Sequence, residues 1–515
     1  MKHRTDFKRD FFYKIVNGLD KYNVTFLLGP RKCGKTYALD QIKNNLDRNI
    51  IKYDFKTLTE DESVFRVNEI IDAIKSGKDI VFLLDEVTYM TFPEQEIARI
   101  AETYTESKSL GVDIKTKVVF TGSQSVALSS WGRSAFAGQA NFINADFLTY
   151  SEWLDFAGID EISADTFRQF ITGTFDFYDE FNSLEDYLKG CLEETVKSNA
   201  KSRNYIYGND VDLVSVDTLI DILYITLFSL HDTLSPATFF QNNSLSNKIV
   251  YIKNTMAKDY DISSEEIRER VAKSYVSRYD SVNSVDIDTL KQSLSFLIRS
   301  GLITATPIFD NFETTIDVLK NLEADNSKYT KKSDLLGKVN FTINYPMFYA
   351  QILKDIFNDE IKNNGIDGAM LGSIVECYVR GLLDKSSSFE YHDENGNEID
   401  YVNIRQRLAV EITISNKTMD RVHLDMLQPE YKKILLSKDK EEIINDIKLI
   451  PYYKFIYELC SKQEQYLKDL MQNHKASVKF TLNKDTSSNE TLASVMNGTE
   501  SKLDKAQSGI DHTDD

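Results

Sequence analysis

The segment Gly29-Pro30-Arg31-Lys32-Cys33-Gly34-Lys35-Thr36 has the spacing G-x-x-x-x-G-K-[ST], and its flanks constrain the fold more than any other stretch of the chain. The apolar run Val24 to Leu28 leads into it, and helix-forming residues from Ala38 to Asn45 follow. Strand, loop and helix in that order make a phosphate loop and call for a parallel sheet around it. The glycines let backbone N–H groups turn toward a polyphosphate. Lys35 neutralises its outer oxygens, and the Thr36 hydroxyl can ligate Mg2+ beside the positive end of the helix. The expected ATP-binding residues are therefore Gly29, Pro30, Arg31, Lys32, Cys33, Gly34, Lys35, Thr36 and Tyr37.

A second element supports this reading. Asp79 to Glu86 is an apolar stretch of buried-strand length that ends in two adjacent carboxylates. We expect it beside the strand that feeds the loop, with Asp85 on Mg2+ and Glu86 orienting or deprotonating the attacking water, which implies hydrolysis as well as binding. An ordinary buried strand capped by a solvated Asp-Glu pair is the other reading. A third strand, Lys117 to Phe120, ends in Thr121-Gly122-Ser123-Gln124. There Thr121 or Ser123 could hydrogen-bond the terminal phosphate or its water; a simple turn would use the same residues for their backbone preferences.

These three segments, together with Ala145-Asp146-Phe147-Leu148-Thr149-Tyr150-Ser151-Glu152-Trp153-Leu154, resemble the prokaryotic P-loop ATPases of the AAA superfamily. The resemblance covers most of the chain and is strongest to about residue 155. It implies an ATPase module followed by a winged-helix segment and a C-terminal domain. Members of that group carry a Gly-Arg pair soon after the Thr-Gly-Ser turn, where this chain has Gly138-Gln139. Arg133 is the nearest replacement, as a guanidinium able to stabilise charge on the leaving phosphates in cis or across subunits, or else an ordinary surface arginine.

The chain has 515 residues, 42% of them hydrophobic, enough for several cores and about three domains. A net charge of -19 opposes a globally basic nucleic-acid coat but leaves room for a local DNA-binding groove. Cys33, Cys191, Cys377 and Cys460 lie far apart with no C-x-x-C pair, which indicates reduced thiols and neither zinc nor disulfides. The amino end lacks an apolar signal core, and the patch from Leu219 to Leu230 contains Asp221 and is too short to span a bilayer. A soluble, cytoplasmic protein is expected, with no membrane partner.

Beyond the ATPase module the pattern is mostly helical between 160 and 275. Asp286 to Thr304 then places Ile287, Leu290, Leu294, Phe296 and Leu297 on a helix before a strand-like turn, which resembles the last helix and wing of a winged helix. Lys291 and Arg299 are its candidate phosphate contacts; a lid that packs on the ATPase is the alternative. Further on, a helix carrying Glu376 precedes strands ending near Asp400 and Glu411, an order that resembles a restriction-endonuclease-like core. Active members of that class hold Mg2+ between such an Asp and Glu and use a Lys two residues after the Glu. Here Thr413 stands at that position, and Lys417 would lie about 20 Å further along a continuing strand, at about 3.3 Å per residue. A degenerate core used for binding is favoured over a working nuclease, with Glu376, Asp400 and Glu411 as the candidate second site. Residues 418 to 478 read as helices covering that sheet, and the Ser, Thr, Asn and Asp-rich end beyond 483 reads as a disordered tail.

The expected architecture is α/β: a P-loop ATPase domain over 1–158, a helical and winged-helix domain over 159–345, a restriction-endonuclease-like domain over 346–483 and a tail over 484–515. The leading function is Mg2+-dependent ATP hydrolysis that sets the placement of the C-terminal domains. The alternatives are an ATP-gated nucleic-acid-binding or nuclease effector, of a kind that could serve defence against foreign DNA, and a nucleotide-gated regulator that binds protein partners. Both a ring and a monomer are open.

Overall fold

The computed structural model describes residues 7–122, 124–177, 183–197, 214–228, 246, 249–250, 253–254, 264–307, 339–357, 368–383, 388–392, 398–417, 422–427 and 429–461. Its first layer is a five-stranded, all-parallel sheet with strand order β2-β3-β4-β1-β5. The strands are β1 Val24–Leu28, β2 Ile50–Asp54, β3 Val81–Asp85, β4 Lys117–Thr121 and β5 Asn141–Asn144. Every residue of β1 and β3 is buried, as parallel strands covered on both faces require. Helices α1 Asp10–Lys21, α2 Lys35–Asn45, α3 Glu60–Lys75, α4 Pro93–Ser109 and α5 Ser125–Phe136 accompany the sheet. α3 starts on a reciprocal capping box between Thr59 and Glu62. Phe26 stacks on Phe120 and Phe142 across three neighbouring strands, with ring centroids 4.8 and 5.1 Å apart.

The sheet order corrects one expectation. β3, which carries the Asp-Glu pair, does not lie beside β1, because β4 stands between them. An apolar run encodes that a strand is buried, not which neighbour it takes, and a third parallel strand fits the gap.

After β5 the chain becomes helical, with α6 Tyr150–Ala157, α7 Ala164–Phe177, α8 Leu184–Lys197, α9 Val216–Phe228, α10 Glu265–Ser284 and α11 Ile287–Arg299. Leu290, Leu294, Phe296 and Leu297 of α11 are buried as the periodicity predicts. Past α11, β6 Ile303–Pro307 pairs antiparallel with β7 Val339–Ile343. α12 Pro346–Phe357 and α13 Gly368–Leu382 lead into a second, six-stranded sheet. Its strands are β8 Ser388–His392, β9 Glu398–Asn403, β10 Leu408–Glu411, β11 Lys432–Ser437, β12 Glu442–Ile444 and β13 Ile447–Pro451, in the order β12-β13-β11-β10-β9-β8. β8, β9 and β10 form an antiparallel meander, and β11 and β13 continue it in parallel.

Two readings of this region fail. Residues 432–451 are strands, not helices, because Ile434, Leu435 and Leu436 form a continuous apolar run of the kind that buried parallel strands share with buried helices. The strand through Glu411 also stops there, so the chain turns over 412–417 instead of extending. Residues 452–461 are helical, and the proposed tail lies outside the described residues.

An aromatic seam joins the first layer to this second sheet. Tyr150 lies 5.2 Å from Phe167 and 5.5 Å from Phe170, and Tyr378 of α13 and Tyr452 close on the same two rings at 5.6 Å. Each such pair contributes about 0.5–1.5 kcal/mol beyond its burial. The Tyr378 hydroxyl also accepts the backbone N–H of Tyr150 at 3.1 Å.

Candidate functional site

The loop between β1 and α2 wraps a tight concave path. Gly34 caps α2 with φ 100°, in the left-handed region where a side chain is strained. Gly29 has no room for one at all, since a Cβ there would sit 1.9 Å from the Ala145 carbonyl oxygen. Lys35, 6% exposed, bends back so that Nζ donates to the Gly29 carbonyl at 2.9 Å and the Pro30 carbonyl at 2.7 Å. Arg31 reaches away to the Gly190 carbonyl on α8, Nη1 to O 2.5 Å. Cys33 is wholly buried, and burial raises its thiol pKa, so it is no thiolate. Tyr37 stands exposed on the first turn of α2.

Asp85 reaches this loop although β4 intervenes. The Thr36 hydroxyl hydrogen-bonds its carboxylate, and Lys52 of β2 approaches at 3.6 Å while also holding Asp40 at 2.7 Å. Burial raises the Asp85 pKa, Thr36 and Lys52 oppose the rise, and Glu86 and Asp54 add to it. The oxygen pair Thr36–Asp85 is the kind of donor set that would suit a hard cation such as Mg2+. Glu86 follows at φ 51°, a left-handed conformation that costs a non-glycine residue about 1–2 kcal/mol and aims its side chain differently from the strand pleat. Thr121 ends β4 opposite Leu27, fully buried, and its hydroxyl has no hydrogen-bond partner among the described residues. Ser123 lies outside the described residues.

Arg133 is not brought to the loop. It lies along α5 with its guanidinium 4.6 Å from the Phe142 ring centroid, and its Nε donates to the Ser129 hydroxyl at 3.2 Å. Phe142 pairs with Phe26, two residues short of the end of β1.

Three features of the site escape the sequence reading. Ser125, the first residue of α5, exchanges two hydrogen bonds with the Gly29 backbone. Lys52 carries no motif. Arg9 crosses beneath the loop, its Nη1 donating to the Cys33 carbonyl at 3.1 Å and its Nε and Nη2 pairing with Glu152 at 2.8 and 2.9 Å. Glu152 had a visible signal, because Thr149-x-x-Glu152 is a capping box, and both of its bonds form.

The second cluster is closed on itself. Arg380 projects from α13 among Glu376 (2.7 Å), Glu390 and Asp400 (3.8 Å). Asp400 also accepts the Ile412 N–H. Lys417, expected out of range, lies 2.5 Å from Glu411, because the turn after β10 folds it back onto the strand end. Burial, reinforced by the neighbouring acids, raises the pKa values of Glu376, Asp400 and Glu411. A guanidinium fills the space among Glu376, Glu390 and Asp400, and no group of three or more His, Cys, Asp or Glu among the described residues is arranged to hold a metal ion. The cluster does not fit the Mg2+ that its resemblance implies. Lys291 likewise departs from a phosphate contact: it is buried and lies 3.3 Å from Asp288, while the Arg299 side chain is outside the described residues.

Residues 21–154 match the family of AAA domains. The matched stretch spans the whole of the five-stranded parallel sheet, so this part of the chain is similar to an AAA domain. No curated protein matches the chain. Among solved structures it is similar to a Walker-type ATPase of Pyrococcus abyssi, at 14% identity, over 68% of this chain and 97% of that one, with a TM-score of 0.31. The Thermotoga maritima RuvB Holliday junction branch migration motor matches at 15% identity over 60% and 90% of the two chains, TM-score 0.24. The replication initiator DnaA bound to AMPPCP and single-stranded DNA matches at 13% identity over 56% and 90%, TM-score 0.23. No helix among the described residues is long and apolar enough to cross a membrane.

Proposed function

We propose that the chain is a Mg2+-dependent, cytoplasmic ATPase whose nucleotide state sets the placement of its helical and C-terminal segments. The observation that carries the reading is the hydrogen bond from Thr36 to Asp85, two candidate cation ligands, one from the first turn of α2 and one from the end of β3, brought together although β4 separates β3 from β1. Thr36 and Asp85 would hold the cation, which when bound would supply positive charge to offset that of the phosphate oxygens. Loop N–H groups and Lys35 hold the phosphates, Glu86 takes the proton of the attacking water, and Thr121 donates to the terminal phosphate or that water. Glu86→Gln keeps the shape of the site and removes its base. Turnover is expected to fall about 100-fold or more while ATP affinity stays within about threefold, read by phosphate release and calorimetry. Equal losses of affinity and turnover would contradict the assignment.

Coupling is supported by two contacts that leave the ATPase layer: Arg31 with α8 and Tyr150 with Tyr378 of α13. The helices α9 to α11 and the β6–β7 pair follow the order of a winged helix, and with Lys291 turned inward we read them as a packing module. We read the C-terminal sheet as a restriction-endonuclease-like core that has lost its metal. Wild type and Asp400→Ala are expected to leave duplex and single-stranded DNA equally intact with Mg2+ or Mn2+. Metal-dependent cutting lost in Asp400→Ala would instead establish the effector reading, as would an ATPase rate stimulated by DNA.

A further inference from the structure

The phosphate loop is fixed at its entrance by two groups from outside it. Ala145, past the end of β5, donates its N–H to the Leu28 carbonyl at 2.5 Å and fills the space against Gly29. On the side of β4, the Ser125 hydroxyl accepts the Gly29 N–H at 2.7 Å and donates to the Gly29 carbonyl at 2.6 Å. A hydroxyl has one proton and two lone pairs, so this is a two-way clamp on a single residue. The same carbonyl also accepts Lys35 Nζ at 2.9 Å, which uses both of its lone pairs.

That sharing has a chemical consequence. For Lys35 to turn toward a phosphate it must leave the Gly29 carbonyl, and an unpaired, part-buried carbonyl is costly. The proton of Ser125 keeps that oxygen paired when the ammonium departs. The lone pair of Ser125 meanwhile holds the Gly29 N–H, so the loop does not collapse into the gap.

We propose that Ser125 is a positioning residue of the nucleotide site: its hydroxyl stands in for Lys35 at the Gly29 carbonyl and so frees the ammonium for the phosphates. This rests on the ATPase reading. It also links the start of α5, which follows Thr121 at the end of β4, to the phosphate loop through one bonded pair, without touching nucleotide itself.

The test measures ATP binding and turnover by the full chain carrying Ser125→Ala, Ser125→Thr, Lys35→Met and the double change Ser125→Ala with Lys35→Met. Ser125→Ala is expected to weaken ATP affinity and raise KM about tenfold with a smaller change in kcat, and Ser125→Thr to restore both. In the Lys35→Met background the same Ser125→Ala change is expected to alter affinity by less than about twofold, because the ammonium it acts through is gone. A purely structural serine would lower the melting temperature and affinity equally in both backgrounds, which overturns the proposal, as does an unchanged KM in Ser125→Ala. Should Ser125→Ala fail to fold, Ser125→Thr and Ser125→Cys make the same comparison: hydroxyl near wild type and thiol about tenfold weaker, with equal affinities overturning it. Wild type that binds no ATP removes the ATPase reading and this proposal together; wild type that binds normally beside an unaffected Ser125→Ala removes this proposal alone.

Discussion

Replacing Lys35 with alanine is expected to abolish ATP turnover, with kcat falling at least about 100-fold and ATP affinity at least about tenfold. The reason lies in what the ammonium exchanges. It is held by the neutral carbonyls of Gly29 and Pro30, at 2.9 and 2.7 Å, in a site where it is 6% exposed. Moving to phosphate trades those bonds for charge-assisted ones about twice as strong, in surroundings that screen poorly. Alanine removes the charge and takes the Lys35 donor from both carbonyls, leaving Ser125 on that of Gly29. Lys35→Arg keeps the charge, but its wider fork does not fit a pocket made for a point donor, so it should recover affinity better than turnover. Phosphate release and calorimetric titration measure both. A Lys35→Ala protein with a tenth or more of wild-type turnover would remove this lysine from the chemistry.

How far the sequence foretold this site depends on what each residue's signal was local to. Gly29 to Thr36 and Leu83 to Glu86 were legible because their chemistry demands fixed residue types at fixed spacing beside apolar runs. The path between them was not. Strand order is a property of the assembled sheet, so nothing in Val81–Asp85 could reveal that β4 separates it from β1. Lys417 was misjudged for a related reason: distance along an imagined strand says nothing once the chain turns at Ile412. Arg380 was invisible because Glu376 and Arg380 at i and i+4 look like any solvent-facing helix pair, and only the sheet packed against them buries the arginine. Arg9 gave no signal at all, since its four acceptors come from Cys33, Asp146 and both oxygens of Glu152.

Breaking that last arrangement should have the largest effect on stability. Arg9 is 7% exposed and Glu152 3%, and the carboxylate also accepts the N–H groups of Asp10 and Thr149, both at 2.9 Å. Burial alone would raise the Glu152 pKa; the Arg9 charge and these hydrogen bonds more than offset it and hold the carboxyl below its ordinary value. A depressed folded pKa contributes stability above the unfolded carboxylate value, near about 4.3, and that contribution is lost as pH falls through the folded value. Arg9→Met leaves the carboxylate buried without its cation, and Glu152→Gln leaves the guanidinium uncompensated. Each is expected to cost about 3–5 kcal/mol at pH 7. For Arg9→Met the deficit should shrink toward acid pH, where wild type too loses the charge of Glu152. Urea denaturation at pH 7 and below pH 4 checks the size and the sign. The consequence reaches the nucleotide, because Arg9 holds the Cys33 carbonyl within the phosphate loop, and Glu152 caps the helix whose first N–H meets Tyr378. Arg9→Met protein should therefore lose ATP affinity at temperatures well below its unfolding, whereas a merely structural pair would leave binding intact until the fold itself gives way.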